Sequence, residues 1–168
     1  MQFRSAHGRT TQYAMVLLSA SCLLTTPPEA RAQSVSRTAN ETVVRRCADE
    51  LWNKHKRAFI PMCYTTAYVS HTNGVTAPHK GLDAESEALA VTLNTWPDIK
   101  LTYEAVIVSG DFVTARWVMT AHHSLTAKEV DSHGITIFRL VNGKIAEDWT
   151  TFDRVPLIMA MEQVPGAS

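Results

Sequence analysis

Little in this chain commits it to a partner by charge. Its 16 basic and 16 acidic residues cancel. No charge run or basic stripe interrupts that balance, which argues against a nucleic-acid partner. Cysteine is scarce, with three in all, and neither a Cys-x-x-Cys pair nor a zinc-type Cys/His spacing is present. A disulfide-dense or metal-stapled scaffold is thereby excluded. No apolar run reaches the ~20 residues that cross a bilayer, and there is no internal repeat or low-complexity tract. What remains is ordinary globular composition, 45% hydrophobic and 19% charged, at a length that suits one domain with a real core.

One apolar run is nonetheless informative. Arg4 and Arg9 sit in a polar leader, and Ala14 to Leu24 then form an apolar stretch of about half a membrane span. Thr25–Thr26–Pro27–Pro28 breaks it, and Ala30–Arg31–Ala32 follows as a small-x-small site. This is the layout of a secretory signal peptide over residues 1–32. The mature chain, residues 33–168, is expected to begin at Gln33 and to be periplasmic or secreted, with no stable membrane span. Lipidation of Cys22 fits less well, because Ser19 stands where a large aliphatic residue is preferred. Cleavage leaves Cys47 and Cys63. They can bridge in an oxidising compartment, or remain two small buried hydrophobes.

Along the mature chain, residues 33–39 are polar and read as frayed. Val43, Val44, Cys47 and Leu51 then recur at helical spacing, and Asn53–Lys54 ends that helix. A short helical stretch over residues 57–60 is expected to break at Pro61. Tyr68–Val69–Ser70–His71 reads as extended, and Pro78–His79–Lys80–Gly81 as loop. Asp83 can cap a further helix, which stops before Trp96–Pro97–Asp98.

The period then changes to two. Over residues 99–108, Leu101, Tyr103, Ala105 and Ile107 share a face. Over residues 112–123, Val113, Ala115, Trp117, Met119 and Ala121 do so. Residues 133–141 and 144–153 form a hairpin around Asn142–Gly143, since both turn positions favour positive φ. Helices first and a strand meander after them mean α+β: a curved antiparallel sheet with N-terminal helices packed over its concave face. Such a layer over a concave sheet encloses a small-molecule cavity.

With these elements placed, the chain resembles the SnoaL-like polyketide cyclases within the NTF2-like cone fold, which also houses ketosteroid isomerases. The residues that carry the resemblance are Leu51–Trp52–Asn53–Lys54, Tyr68–Val69–Ser70–His71, Trp96–Pro97–Asp98–Ile99 and Gly110–Asp111–Phe112–Val113 with Arg116–Trp117. The closing hairpin continues it with Gly134–Ile135–Thr136–Ile137–Phe138–Arg139, Asn142–Gly143–Lys144–Ile145, Glu147, Trp149 and Asp153. The chain departs from the family after His122–His123–Ser124, where a longer glycine-rich segment is usual, so substrate identity does not carry over. The resemblance implies a cofactor-independent and metal-independent reaction: a carboxylate or histidine removes a proton α to a carbonyl, and donors receive the enolate oxygen.

The candidate acid–base residues are then Asp153, His123, His71 and Glu147. Period two places Ile145, Glu147, Trp149, Thr151 and Asp153 on one face of the last strand, unless a bulge reverses the alternation. If that face lines the cavity, Asp153 lies at its mouth below Trp149. With Asn142–Gly143 as turn residues, Phe138 falls opposite Glu147 and His133 opposite Phe152. Trp117, Trp149, Tyr103 and Phe138 are candidate walls for a flat ligand. Adjacent His122 and His123 point to opposite faces of a strand and cannot share one ion, so no metal site is expected. A non-catalytic module for a small hydrophobic ligand is the alternative function. A homodimer through the outer sheet face is the expected assembly, since strand 112–123 alternates apolar residues on both faces.

Overall fold

A computed structural model describes residues 28–162, with side chains from residue 37 onward. The apolar leader segment lies outside the described residues. Helix α1 runs over Pro28–Ala48 and continues as a π-helical turn, Asp49–Asn53. Residues 33–39, expected to fray, are therefore helical; they contain no proline or glycine to interrupt the pattern. The Lys54 N–H closes the π turn on the Asp49 carbonyl. Asn53 then locks the helix end to the sheet: its Oδ1 accepts from the Leu101 N–H at 2.7 Å and its Nδ2 donates to the Leu101 carbonyl at 3.0 Å.

A 3-10 turn, Arg57–Phe59, leads into the four-residue helix α2, Ile60–Cys63. Pro61 does not break a helix here but stands in the first turn of one, where its missing N–H costs nothing. Strand β1 covers Tyr64–Thr72, and β2 is the two-residue strand His79–Lys80. The segment read as loop around His79 thus pairs with the sheet edge. Helix α3, Gly81–Thr95, starts two residues ahead of Asp83, which lies in its first turn rather than at its cap. Strands β3 (Lys100–Ser109), β4 (Phe112–His122), β5 (Glu129–Val141) and β6 (Lys144–Phe152) follow, and helix α4 (Val155–Met161) closes the described chain.

The six strands form one curved, open sheet in the order β2-β1-β6-β5-β4-β3. Four of its pairings are antiparallel, as expected for a curved antiparallel sheet, and β1 with β6 is parallel. Helices α1 and α3 pack across the concave face, and Val44, Cys47, Leu51 and Leu89 form the core with Val113, Ala115, Phe138, Leu140 and Ile145 from the strands. The disulfide is present: Cys47 and Cys63 join α1 to the end of α2 across a Cα separation of 5.6 Å. Closing so short a loop is worth about 3 kcal/mol in the chain-entropy view.

Strand β4 keeps the expected alternation without interruption, and all five residues expected to share a face are buried. Two bulges change the pattern elsewhere. In β3 the register slips between Tyr103 and Ala105. Leu101 and Tyr103 face inward as expected, but beyond the slip Val106 and Val108 pack on the core and Ile107 is exposed. The second bulge lies in β6. Leu140 pairs with Ile145, but Arg139 pairs with Glu147, leaving Ala146 as the extra residue. Phe138 therefore stands opposite Asp148, not Glu147, and Phe152 opposite Gly134, not His133. A one-residue bulge transposes the faces of the strand from that point on. Gly134 faces Trp117 across β4 and β5, and a Cβ there would collide with the indole ring. The glycine is what lets that ring lie over its neighbour strand.

Candidate active site

Between the helices and the concave face lies a cavity of about 310 Å³. Trp52, Leu89, Trp96, Leu101, Met119 and Phe152 give it a largely apolar wall. The ionisable groups at its polar end come from β1, β2, α3 and β6, and the bulge at Ala146 determines which of the β6 side chains enters.

Asp148 enters. It is 7% exposed, and both carboxylate oxygens accept hydrogen bonds from β1: Oδ2 from the Tyr68 hydroxyl at 2.6 Å and Oδ1 from the Ser70 hydroxyl at 2.9 Å. Tyr68 and Ser70 are two apart on a strand and so share a face. The parallel pairing that aligns Ser70 with Asp148 presents both hydroxyls to the one carboxylate. Burial pushes the Asp148 carboxyl up to about 6 against the lowering pull of those two donors; the Glu85 charge adds to the rise and His79 opposes it.

A second pair stands beside it. His79 Nε2 and Glu85 Oε2 are 2.6 Å apart, with the glutamate side chain 8% exposed. Glu85 faces inward from the second turn of α3, and β2 presents His79 beside Ser70 at the sheet edge. The Glu85 bond raises the His79 imidazole above its ordinary value despite partial burial, and the Asp148 charge contributes to the rise. The Tyr64 and Tyr68 hydroxyls are driven well up by burial and by neighbouring groups, so both are proton donors at neutral pH. On the opposite wall, the Trp117 Nε1–H donates to Thr136 Oγ1 at 3.0 Å, and Thr136 and Thr150 share a hydroxyl–hydroxyl bond of 2.9 Å.

Of the residues expected at the site, Trp117, Tyr103 and Phe138 line the cavity. Burial, chiefly, drives the Tyr103 hydroxyl upward, helped by the Asp148 charge. The transposed strand carries Glu147 and Trp149 to the outer face, correcting their expected inward position. His71 and Glu147 do meet there, Nε2 to Oε1 at 3.0 Å, with Arg139 on the other carboxylate oxygen at 2.9 Å. The Trp149 ring stacks on His71, 5.5 Å between centroids and 4° from parallel. Arg139, then His71, holds the Glu147 carboxyl below its ordinary value.

Asp153 is not at the cavity mouth either. It is exposed just past β6, and its Oδ1 accepts from the Val155 N–H at 3.0 Å at the start of α4. His123 is buried, but against Trp96, in an edge contact of 5.1 Å, and its Nδ1 accepts from the Thr126 N–H at 3.3 Å. It organises the β4–β5 connection outside the cavity.

Sequence reasoning passed over Asp148, Tyr68, Ser70, His79 and Glu85. Tyr68 and Ser70 carried a signal, since they alternate within the recognised extended segment. Asp148 lay one residue from a candidate, hidden by the bulge. His79 reads as loop from sequence, because a two-residue strand leaves almost no periodicity.

An α+β layer over a curved open sheet, with a buried carboxylate inside the enclosed space, defines an NTF2-like cone. The chain belongs to the SnoaL-like polyketide cyclase family, whose model matches residues 42–161. Among solved structures it is similar to a proposed SnoaL-like polyketide cyclase from Jannaschia sp. CCS1, at 22% identity and a TM-score of 0.71, over 77% of this chain and 96% of that one. A proposed polyketide cyclase from Bacillus cereus ATCC 10987 is 28% identical, with a TM-score of 0.66, over 76% and 83%. AclR from Streptomyces galilaeus, a proposed hydroxylase, is 20% identical, with a TM-score of 0.67, over 79% and 87%. No curated protein matches the chain. The scaffold carries more than one proposed chemistry, so the reaction has to be argued from the site.

Proposed function

We propose that this protein is an exported, cofactor-independent cyclase or isomerase that moves a proton α to a carbonyl in a compact, largely apolar substrate. The observation that carries the reading is Asp148: a buried carboxylate in an apolar cavity, raised to about 6, with hydroxyl donors on both oxygens. A carboxylate so placed is ionised at neutral pH, yet basic enough to take a proton from carbon and return it. The Tyr68 hydroxyl, protonated and aimed at the same point, can turn to an enolate oxygen as the Asp148 charge is neutralised. Trp117, Tyr103 and Phe138 form the wall against which a flat ring would lie.

The test is deuterium incorporation from heavy water into small cyclic ketones, followed by NMR, for the wild type and Asp148→Asn. Exchange lost in the variant supports the reading. Ligands that stabilise both proteins equally and are never exchanged by either would make the cavity a carrier's and sink the catalytic role.

Export is supported by the leader composition and agrees with the Cys47–Cys63 disulfide. N-terminal sequencing of the protein recovered outside the cytoplasm should read from Gln33; an intact leader on cytoplasmic protein would refute it. No helix among the described residues is long and apolar enough to cross a membrane. For assembly, we propose a homodimer through the outer sheet face, where Ile135, Ile137 and Trp149 are exposed on neighbouring strands. Sedimentation of the wild type against Ile137→Arg tests it, and a monomeric wild type at high concentration would exclude it.

A further inference from the structure

Asp148 is not the only proton-carrying group at the polar end of the cavity. A two-residue strand exists beside β1, and its pairing of His79 with Ser70 brings the imidazole to the cavity wall. Glu85, from α3, is buried at 6% exposure and meets His79 Nε2 at 2.6 Å. A buried carboxylate is costly unless paired, so Glu85 favours a charged partner. With Nε2 committed to Glu85, Nδ1 is the nitrogen left to exchange a proton, and it has no hydrogen-bond partner among the described residues.

We propose that His79, held protonated by Glu85, is the acid that protonates the substrate's carbonyl oxygen while Asp148 takes the proton from carbon. This rests on the acid–base reading of the cavity given above and adds a second catalytic residue, His79, and a positioning residue, Glu85. The substrate class follows: a neutral β,γ-unsaturated ketone whose carbonyl oxygen lies at the β2 side while its acidic C–H faces β6.

The atoms balance within the cavity. The Asp148 carboxylate accepts the α proton, the C–H pair becomes the enol double bond, and the carbonyl π pair moves to oxygen, which takes the Nδ1 proton. In the return step the dienol O–H proton goes back to His79, its oxygen pair re-forms the carbonyl, the enol π pair becomes the α,β double bond, and the former β,γ π pair takes the Asp148 proton at the γ carbon. The net change is an isomerisation, with no co-reactant and both residues restored. One group must be basic and the other acidic at the same pH, and the two charges support each other: Asp148 raises His79 while His79 lowers Asp148.

The groups facing His79 are Glu85 from α3, Asp148 from β6 and the ring edge of Tyr68 from β1, 6.1 Å away. Lys80 is its neighbour on β2. None of the described tyrosines, Tyr64, Tyr68 and Tyr103, titrates near neutrality. The exchange rate should therefore rise as Asp148 ionises and fall as His79 loses its proton, giving a bell-shaped pH profile.

The experiment measures exchange and isomerisation of the β,γ isomer of cyclohexenone in heavy water across pH, for the wild type, His79→Gln, Glu85→Gln and Asp148→Asn. His79→Gln should lose roughly 10- to 100-fold in kcat and lose the alkaline limb while keeping the acid limb. Glu85→Gln should retain the alkaline limb but move it to lower pH, a displacement that loss of packing would not produce. If His79→Gln keeps the wild-type rate and both limbs while Asp148→Asn is inactive, this proposal falls and the Asp148 reading stands. If the wild type exchanges none of the ketones, the parent reading falls and takes this one with it. Should the His79 and Glu85 variants fail to fold, NMR titration of the His79 imidazole in the wild type decides. A value above the ordinary histidine range supports the proposal, and a value at or below it overturns it.

Discussion

Glu147 and Asp148 are adjacent in the chain and differ by one methylene, yet the fold treats them in opposite ways. Glu147 lies on the outer face of β6, half-exposed, between Arg139 and His71, and its carboxyl is held below the usual range. Asp148 lies on the inner face, in an apolar cavity with only neutral donors bonded to it, and burial takes it up to about 6. A cation beside a carboxylate favours its charge, whereas burial penalises it. Environment, not residue type, makes one a structural anion and the other a candidate base. The His71–Glu147 pair even has the look of an acid–base dyad, but it faces away from the enclosed space.

The two carboxylates should separate most widely in catalysis. Asp148→Asn should reduce α-proton exchange by at least ~100-fold, within the range general-base groups supply, whereas Glu147→Gln should leave the rate within about twofold. Comparable losses in both would erase the distinction between the faces. The next largest contrast is in stability against pH. The folded protein holds Asp148 at about 6, above the 3.8 of an ordinary aspartate. Folding thus favours the protonated form, so this contribution is fully present below about pH 4 and is lost as pH rises through 6. Asp148→Asn does not titrate. Unfolding of the two proteins by urea should therefore diverge by roughly 3 kcal/mol between about pH 4 and pH 7, the wild type losing ground. The contribution of His79, raised chiefly by Glu85, is also lost as pH rises, but in a window above the ordinary histidine value, and the Glu85 pairing is common to both proteins.

Much of the fold was legible because apolar periodicity reports burial directly. The spacing of Val44, Cys47 and Leu51, the unbroken alternation of β4 and the Asn142–Gly143 turn, both with positive φ, each sit where the pattern put them. The site was less legible for a specific reason. A catalytic side chain is identified by the face it occupies, and a single extra residue exchanges faces. Ala146 is small and apolar and leaves no trace in the pattern, so Ile145, Glu147, Trp149, Thr151 and Asp153 read as one face. The structure keeps only Ile145 inward from that set and adds Asp148, Thr150 and Phe152. Residues on β4, which has no bulge, fared differently: Trp117 was expected on the inner face and lines the cavity.

Deleting Ala146 sharpens the comparison further. Without it, Ile145 would be followed directly by Glu147 and Asp148, and plain alternation would already put Glu147 out and Asp148 in. The deletion should therefore keep the raised Asp148 carboxyl and the exchange activity. It should cost about 1–2 kcal/mol, for a lost buried methyl and the curvature a bulge supplies. Loss of activity in a folded deletion variant would mean that the bulge sets the depth of Asp148 and not only its face.

The smallest expected effect belongs to the outer carboxylate. Glu147→Gln removes the charge that Arg139 and His71 share, and the side chains involved are 23% to 37% exposed. Solvent screens such a pair, so the loss at pH 7 should stay below ~1 kcal/mol and shrink as salt is added. Its sign with pH is opposite to that of Asp148. A carboxyl held below its ordinary value stabilises the fold above that value and loses the effect as pH falls through the lowered one. As pH rises from acid to neutral, the wild type should therefore gain stability relative to Glu147→Gln and lose it relative to Asp148→Asn. If the wild type gained on both variants as pH rose, Asp148 would be a charge-stabilised carboxylate like its neighbour, and the case for a base inside the cavity would be lost.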